Sequence, residues 1–317
     1  MAETPTAVRA VFFGSGAFAV PVLDALAEMA GIRLAAVVSA PDRPAGRKAI
    51  LTPTPVAARA RELGLPLLQP VRVRKPEAMA ALAALAPDLV VLADYGQLIP
   101  RVLIDLPARG FLNLHPSALP RWRGAAPIPA TILAGDTESA VSLMALAEEM
   151  DAGPIVAVER LEVRPDDTAV TLGERAAGVA ARLLRRALPD WLAGRLEARP
   201  QPAAGVTLTR PLRREDGLLD PRRAAVELER QIRAYQPWPG SYFETPEGRL
   251  VVWRARVGAS EPGDAAGMAV RTPDGGLALA TASGRLLLDE VQLAGGRRMS
   301  VAELLRGRPG VVGVAVR

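Results

Sequence analysis

The stretch FLNLHPSALPRWRGAAP, residues 111–127, holds the only histidine of the chain, His115, two residues after Asn113. A solitary histidine is usually a surface group or a core residue with both nitrogens satisfied. Here the neighbours argue for chemistry. Side chains alternate along a strand, so FLNLH puts Asn113 and His115 on one face and Leu112 and Leu114 on the other. Pro116 lacks a backbone donor and helps end that strand. Both polar groups then lie near the strand's C-terminal end, where open parallel sheets build their sites. Further on, AEEMDAGPIV sets Asp151 in a turn that leads into an apolar run. A carboxylate there could reach the imidazole. An asparagine can donate to a carbonyl oxygen that is becoming an oxyanion. A histidine can donate to the same oxygen or move a proton, and an aspartate can hold the imidazole and accept a proton from an attacking amine. Such a trio suits direct acyl transfer between two bound substrates. On pattern alone, Asn113 and Asp151 could equally be turn caps.

Composition narrows the chemistry further. The chain has 317 residues, enough for two cores, and contains no cysteine. Thiol nucleophiles and thiolate metal sites are therefore excluded, and a single histidine rules out a multi-histidine metal site. No metal is expected. The start, MAETPTAVRA, is not a secretory leader, and no apolar run is long enough to span a bilayer, so a cytoplasmic location is expected. Net charge is +5 and uneven. Residues 1–205 carry 22 basic and 21 acidic side chains, whereas residues 206–317 carry 17 and 13, which makes the second part the better place for a polyanion.

The elements that must position the trio can be read from periodicity. VRAVFFG, IRLAAVVSA, PLLQP, DLVVLADYG and GFLNLHPS read as strands; PVLDALAEMA, VAARARELG and KPEAMAALAALAP read as helices. This alternation predicts an α/β domain with a mainly parallel sheet. AVTLGERAAGVAARLLRRALPDWLAG, residues 169–194, reads as a long amphipathic helix closing it. PDRPAGRKAILTPTP is too rich in Pro and Gly to be an element and is expected to protrude as a loop. Residues 191–206 lack periodicity and read as a linker. After one short helix, close-spaced apolar runs with Gly turns predict a small β-barrel. The expected domains are 1–190, catalytic, and 207–317, the barrel. GSGAF after the first strand lacks the third Gly of a dinucleotide fingerprint and reads as a tight strand-to-helix turn. Trp122, between two arginines, reads as structural or as part of a ligand pocket. Trp238 in PWPG reads as packed in a rigid turn, and Arg297 and Arg298 as a solvated pair.

NLHPSALPRWRGAAPI followed by MDAGPI resembles the folate-dependent formyltransferases, whose pattern is Asn-x-His-x-Ser-Leu-Leu-Pro, then Arg-Gly, then Asp-x-Gly. APDRPAGR and IRAYQPWPGSYF are similar to the branch of that family acting on methionyl-tRNA. The resemblance covers nearly the whole chain. It implies a Rossmann-like formyltransferase domain followed by a C-terminal OB-like barrel. It implies transfer of a formyl group from 10-formyltetrahydrofolate to the α-amino group of methionine on initiator tRNA. A monomer is expected. It places Asn113, His115 and Asp151 on the catalytic positions and Ser117, Ala118, Leu119 and Pro120 on the folate loop. Arg43 and its neighbours fall on the loop that meets the tRNA, with Arg47 and Lys48 as the other cations. Ala118 stands where Leu is usual, Asp94 where Ala is expected, and Glu149 where Gly is common. Asp94 thus adds a second carboxylate near the site. A cut near residue 205 is expected to leave a folded, folate-binding domain. The rival readings are a formyltransferase for a sugar or nucleotide amine, and an RNA-binding protein without catalysis.

Overall fold

The computed structural model describes residues 7–46 and 49–316. In chain order the elements are β1 (Val8–Gly14), α1 (Val20–Glu28), β2 (Ile32–Val38), β3 (Arg43–Ala45), β4 (Ile50–Thr52), α2 (Pro55–Glu62), β5 (Leu67–Leu68), α3 (Pro76–Ala84), β6 (Leu89–Ala93), α4 (Arg101–Ile104) and β7 (Phe111–His115). Then come β8 (Arg123–Gly124), α5 (Pro127–Ala134), β9 (Glu138–Ala145), β10 (Ile155–Glu162), α6 (Ala169–Leu192) and β11 (Leu208–Thr209). The remainder is α7 (Ala225–Ala234), β12 (Ser241–Thr245), β13 (Gly248–Gly258), β14 (Ala269–Arg271), β15 (Leu277–Ala280), β16 (Arg285–Leu293), β17 (Met299–Ser300) and α8 (Val301–Gly307).

The chain divides into two compact units. One comprises Met1–Pro127, Glu138–Glu162 and Gly173–Arg210; the other comprises Ile128–Thr137, Val163–Leu172 and Pro211–Arg317. The stretch 191–206, linker-like in composition, is thus grouped with the first unit. Its Arg199 pairs with Ile155 through two backbone hydrogen bonds of 2.7 and 2.8 Å. Composition reports only a lack of periodicity; backbone pairing to a strand end needs none.

The first unit is a seven-stranded sheet in the order β10-β9-β7-β6-β1-β2-β5. The pairs joining β5, β2, β1, β6 and β7 are parallel, while β9 and β10 add antiparallel strands at one edge. This is the Rossmann-like, mainly parallel α/β architecture expected. Its strands are apolar on both faces because both faces are covered. Ala10, Phe12, Val91, Leu112 and Leu114 enter one core with α6 residues such as Leu183, Leu184 and Leu188. Val11, Phe13, Val90, Leu92 and Phe111 enter the other. The alternation predicted for β7 is therefore realised: Leu112 and Leu114 are core, and Asn113 and His115 share the face of Phe111.

The second unit is an antiparallel sheet in the order β12-β13-β16-β15-β14, with β17 on β16. It wraps a core of Phe243, Leu250, Val252, Leu279, Leu286 and Val291, as a small barrel-type domain does. α7 and α8 supply Leu228, Ile232 and Leu304 to the same core. The Ser300 hydroxyl caps α8 by accepting from the Glu303 amide, and the Glu303 carboxylate accepts in return from the Ser300 amide. One expectation fails here: Trp238 is 55% exposed. Arg297 and Arg298 are exposed, as expected, and are also engaged: Arg297 pairs with Glu303 at 3.0 Å, and the Arg298 guanidinium lies 3.4 Å from the centre of the Trp253 ring. A Gly-Gly turn brings them back over the sheet, which pattern reading cannot see.

Candidate active site

β7 fixes the two polar groups by register. It lies between β6 and β9, with Asn113 opposite Leu92 and Met144, and His115 opposite Ser142. Asn113 and His115 are each only 5% exposed. Asp151 comes from the loop joining β9 to β10. That loop begins beside the start of β7, where the Leu146 amide donates to the Phe111 carbonyl at 2.7 Å. It then doubles back over the sheet face. Gly153 permits the close approach, since a Cβ there would collide with the Ala145 carbonyl. Asp151 itself takes a left-handed backbone conformation, φ 51°, uncommon for a residue with a Cβ.

The three side chains meet. Asn113 Nδ2 donates to Asp151 Oδ1 at 3.4 Å. His115 Nδ1 is 3.6 Å from Asp151 Oδ2. That oxygen also accepts the Gly124 amide at 2.8 Å. On the other side of the ring, His115 Nε2 is 2.9 Å from the Trp122 carbonyl. A carbonyl can only accept, so Nε2 carries a proton and Nδ1 is the nitrogen turned to the carboxylate.

The loop 116–126 is held by short internal bonds. Ser117 is fully buried; its hydroxyl donates to the Arg121 carbonyl at 2.7 Å, and its carbonyl accepts from Ser142 Oγ at 2.8 Å. Leu119 is buried, Pro120 half-buried and Ala118 exposed, and the Leu119–Pro120 peptide is cis. Trp122 is left-handed, φ 60°, and lies under the Arg121 guanidinium at 4.2 Å. Gly124 has φ 106°, and a Cβ there would collide with the Thr209 carbonyl.

Several of these partners carry no sequence signal. The Trp122 amide donates to Thr207 Oγ1 at 2.8 Å. Thr209 Oγ1 accepts from the Ala126 amide at 3.0 Å and donates to the Arg123 carbonyl at 3.1 Å. Gln201 reaches the Asp151 turn itself. All three lie in or beside the stretch that composition marks as a linker. Gly124 was visible only as the Gly of an Arg-Gly pair.

Asp94 is the other carboxylate. It follows β6, is left-handed (φ 49°), and its carboxyl lies against Gly16, where a Cβ would strike it. The residue is open on one side, yet protein atoms crowd the carboxyl and desolvation pushes its pKa up. Next to it, Tyr95 is 3% exposed and stacks edge-on to Phe13 at 5.1 Å. Burial pushes the Tyr95 phenol up to about 12.

The segment expected to protrude is a short antiparallel hairpin, β3 with β4. Three-residue strands flanked by Pro and Gly are below what periodicity detects. Arg43 is exposed on it, as are Ile50 and Leu51. Arg47 and Lys48 lie outside the described residues. The hairpin is clamped at its base: Asp42 accepts from Gln69 Nε2 at 2.6 Å and from Arg61 at 2.9 Å, and these bonds lower its pKa. Among the described residues, no group of three or more His, Asp or Glu could hold a metal ion, and no helix is long and apolar enough to cross a membrane.

A strand-borne polar pair facing an aspartate on a Rossmann-like sheet is an arrangement suited to acyl transfer. Comparison with known proteins sharpens this class. The formyl transferase family model matches residues 8–188, and the model of the formyl transferase C-terminal domain matches 211–309. A methionyl-tRNA formyltransferase of Halorhodospira halophila is 44% identical over 310 residues, 98% of this chain and 99% of that protein. One from Thermus thermophilus is 46% identical over 302 residues, 95% and 96% of the two chains. The chain belongs to the methionyl-tRNA formyltransferase family, enzymes that transfer a formyl group in translation initiation. Solved structures show the same fold at low identity. The sugar 3N-formyl transferase WlaRD is 14% identical with a TM-score of 0.67, covering 92% of this chain and 99% of that one. HypX of Aquifex aeolicus, solved with tetrahydrofolic acid, is 16% identical with a TM-score of 0.63 over 94% of this chain. This chain spans about half the length of HypX, 47%.

Proposed function

We propose that the chain formylates the α-amino group of methionine on initiator tRNA, taking the formyl group from 10-formyltetrahydrofolate, and that Asn113, His115 and Asp151 carry the reaction. The observation that carries this reading is the convergence of Asn113 Nδ2 and His115 Nδ1 on the two oxygens of Asp151 at 3.4 and 3.6 Å. The amine attacks the formyl carbon directly, and its carbonyl oxygen gathers negative charge. Asn113 has two amide N–H bonds, and only one can point at Asp151; the other donates to that oxygen. The amine must lose a proton as it bonds to carbon. The His115–Asp151 pair accepts it and returns it to the departing folate nitrogen, so protons balance over the cycle. The Trp122 carbonyl holds the ring so that Nδ1 stays turned to Asp151.

The loop Ser117–Pro120 faces the folate. Ser117 acts by shaping the loop rather than by touching ligand, since its hydroxyl is committed to Arg121. Arg43, with Arg47 and Lys48, meets the tRNA acceptor end beside the site. In the second unit, the Arg249 and Arg298 guanidinium groups lie 3.8 and 3.4 Å from the centres of the Tyr242 and Trp253 rings. Flat cations on aromatic rings there suit contact with nucleic acid. The bounds expected from sequence, 1–190 and 207–317, serve as catalytic and tRNA-holding units with one shift: the segment through Arg210 works with the catalytic unit, because Gln201, Thr207 and Thr209 bond to its site loop and turn.

The test is formyl transfer from 10-formyltetrahydrofolate to charged initiator tRNA, free methionine and an amino-sugar nucleotide, side by side. Formylation of the charged tRNA alone supports the reading. Preference for the sugar amine, or no transfer to any acceptor, overturns it.

A further inference from the structure

We infer that Gln201, from the segment following α6, is a positioning residue for the reaction: it holds the Asp151 turn and so sets the carboxylate against His115 and Asn113. This rests on the reading of Asp151 as a member of the reacting trio. Three observations carry it. First, the Gln201 amide nitrogen donates to the Asp151 and Gly153 carbonyls, each at 2.8 Å. An amide nitrogen has two N–H bonds, so both are committed to this one turn. Second, the amide oxygen accepts from Arg123 Nε at 3.0 Å. The same side chain therefore ties the Asp151 turn to the β8 segment, where the Gly124 amide binds the Asp151 carboxylate. One carboxamide thus fixes both ends of the carboxylate's setting: its backbone, and the strand that holds its Oδ2. Third, Asp151 is left-handed, φ 51°. A non-glycine residue keeps that conformation only where its surroundings impose it. Within the turn, the Ala152 amide bonds back to the Glu149 carbonyl at 3.2 Å, but the Asp151 carbonyl itself is held by Gln201.

The consequence is geometric. A carboxylate displaced by about 1 Å can cost roughly 10²-fold in rate while binding is kept. Gln201→Met keeps the length of the side chain and removes all three bonds. Gln201→Glu keeps the acceptor for Arg123 and replaces the donor by an oxygen that faces two carbonyls. Both are expected to lower kcat by about 10- to 100-fold with KM for charged tRNA and for the folate donor within about threefold. The loss should vanish in an Asp151→Asn background, measured in single turnover with enzyme in excess, because residues acting as a unit are not additive. His115 is the only histidine, so its ring Cε1–H signal is a clean reporter by NMR. In both Gln201 variants it should move toward its position in Asp151→Asn.

Turnover within twofold of the parent in both variants overturns the proposal. So does a loss of equal size with and without Asp151, or an imidazole signal that does not move. Full activity of Asp151→Asn would instead overturn the reading of the trio; the imidazole signal would still report whether Gln201 places Asp151.

Discussion

Two loops of the first unit are assigned to substrates, and they are built in opposite ways. The site loop 116–126 and the turn at Asp151 are bound on every side. Ser142, Gln201, Thr207 and Thr209 all donate to them or accept from them. Trp122, Gly124 and Asp151 are held at positive φ. The hairpin β3–β4 is held at its base by Asp42 and leaves Ile50 and Leu51 at 62% and 65% exposure. The difference fits the tasks proposed for them. Proton transfer and oxyanion binding depend on fractions of an ångström, so their groups must be pre-set. Gripping a large RNA needs reach and charge, and a strand pair tied at one end supplies both.

The comparison breaks most visibly at the trio. His115→Ala is expected to lower turnover by roughly 10²–10⁴-fold. Asn113→Ala should lose about 10²–10³-fold, and Asp151→Asn should nearly abolish activity. Asp94→Asn should leave turnover within a few-fold, because that carboxylate touches none of the three. Steady-state kinetics on charged tRNA read all four, and a reversed order for the two aspartates would reassign the base.

A cut of the chain sharpens the contrast between composition and structure. Ending it near residue 205 removes Thr207 and Thr209, leaving the Trp122 and Ala126 amides without their acceptors. Ending it after Arg210 keeps them. The longer fragment is expected to bind the folate donor and to show poor tRNA affinity with a shallower salt dependence. The shorter one should bind the donor at least tenfold more weakly, by loss of the order of two hydrogen bonds to buried groups. Calorimetric titration of both fragments checks this. On these bonds, the cut expected to keep full folate binding lies after Arg210 rather than near residue 205.

At the hairpin the effect should be smaller and confined to RNA. Arg43→Ala is expected to weaken use of charged initiator tRNA by about 1–3 kcal/mol and to reduce discrimination against elongator tRNAs. Folate binding should not change. Equal formylation of both tRNAs by parent and variant would leave the hairpin with no role in recognition.

The smallest effect lies in the second unit, far from either loop in function. Hydrogen bonds from the Ser300 amide, from Arg297 and from the Ser300 hydroxyl hold Glu303 down at about 2. A depressed carboxylate contributes stability above its unfolded value, and that stability is lost as pH falls through the folded value. The window is therefore about pH 5 to pH 2. Glu303→Gln should flatten the fall in stability over that range, as read by denaturant unfolding at several pH values. An unchanged profile would mean the cap contributes nothing.

The sequence by itself determined which residues share a face. Period-two alternation puts Asn113 and His115 together, because a strand's geometry is local. The mainly parallel α/β unit, the small β unit and the long helix 169–192 were likewise legible, since apolar periodicity is what buries them. The antiparallel strand β9 was not, because six of its eight residues are buried in succession and no alternation marks it. The hairpin β3–β4 escaped for want of length. What only the tertiary structure decided is how Asp151 comes to the pair. The β9–β10 loop doubles back over the sheet, Gly153 allows the approach, and Gln201 fixes the turn from 50 residues away in sequence. A hydrogen bond between such distant positions depends on where both backbones end up, and no local pattern encodes that.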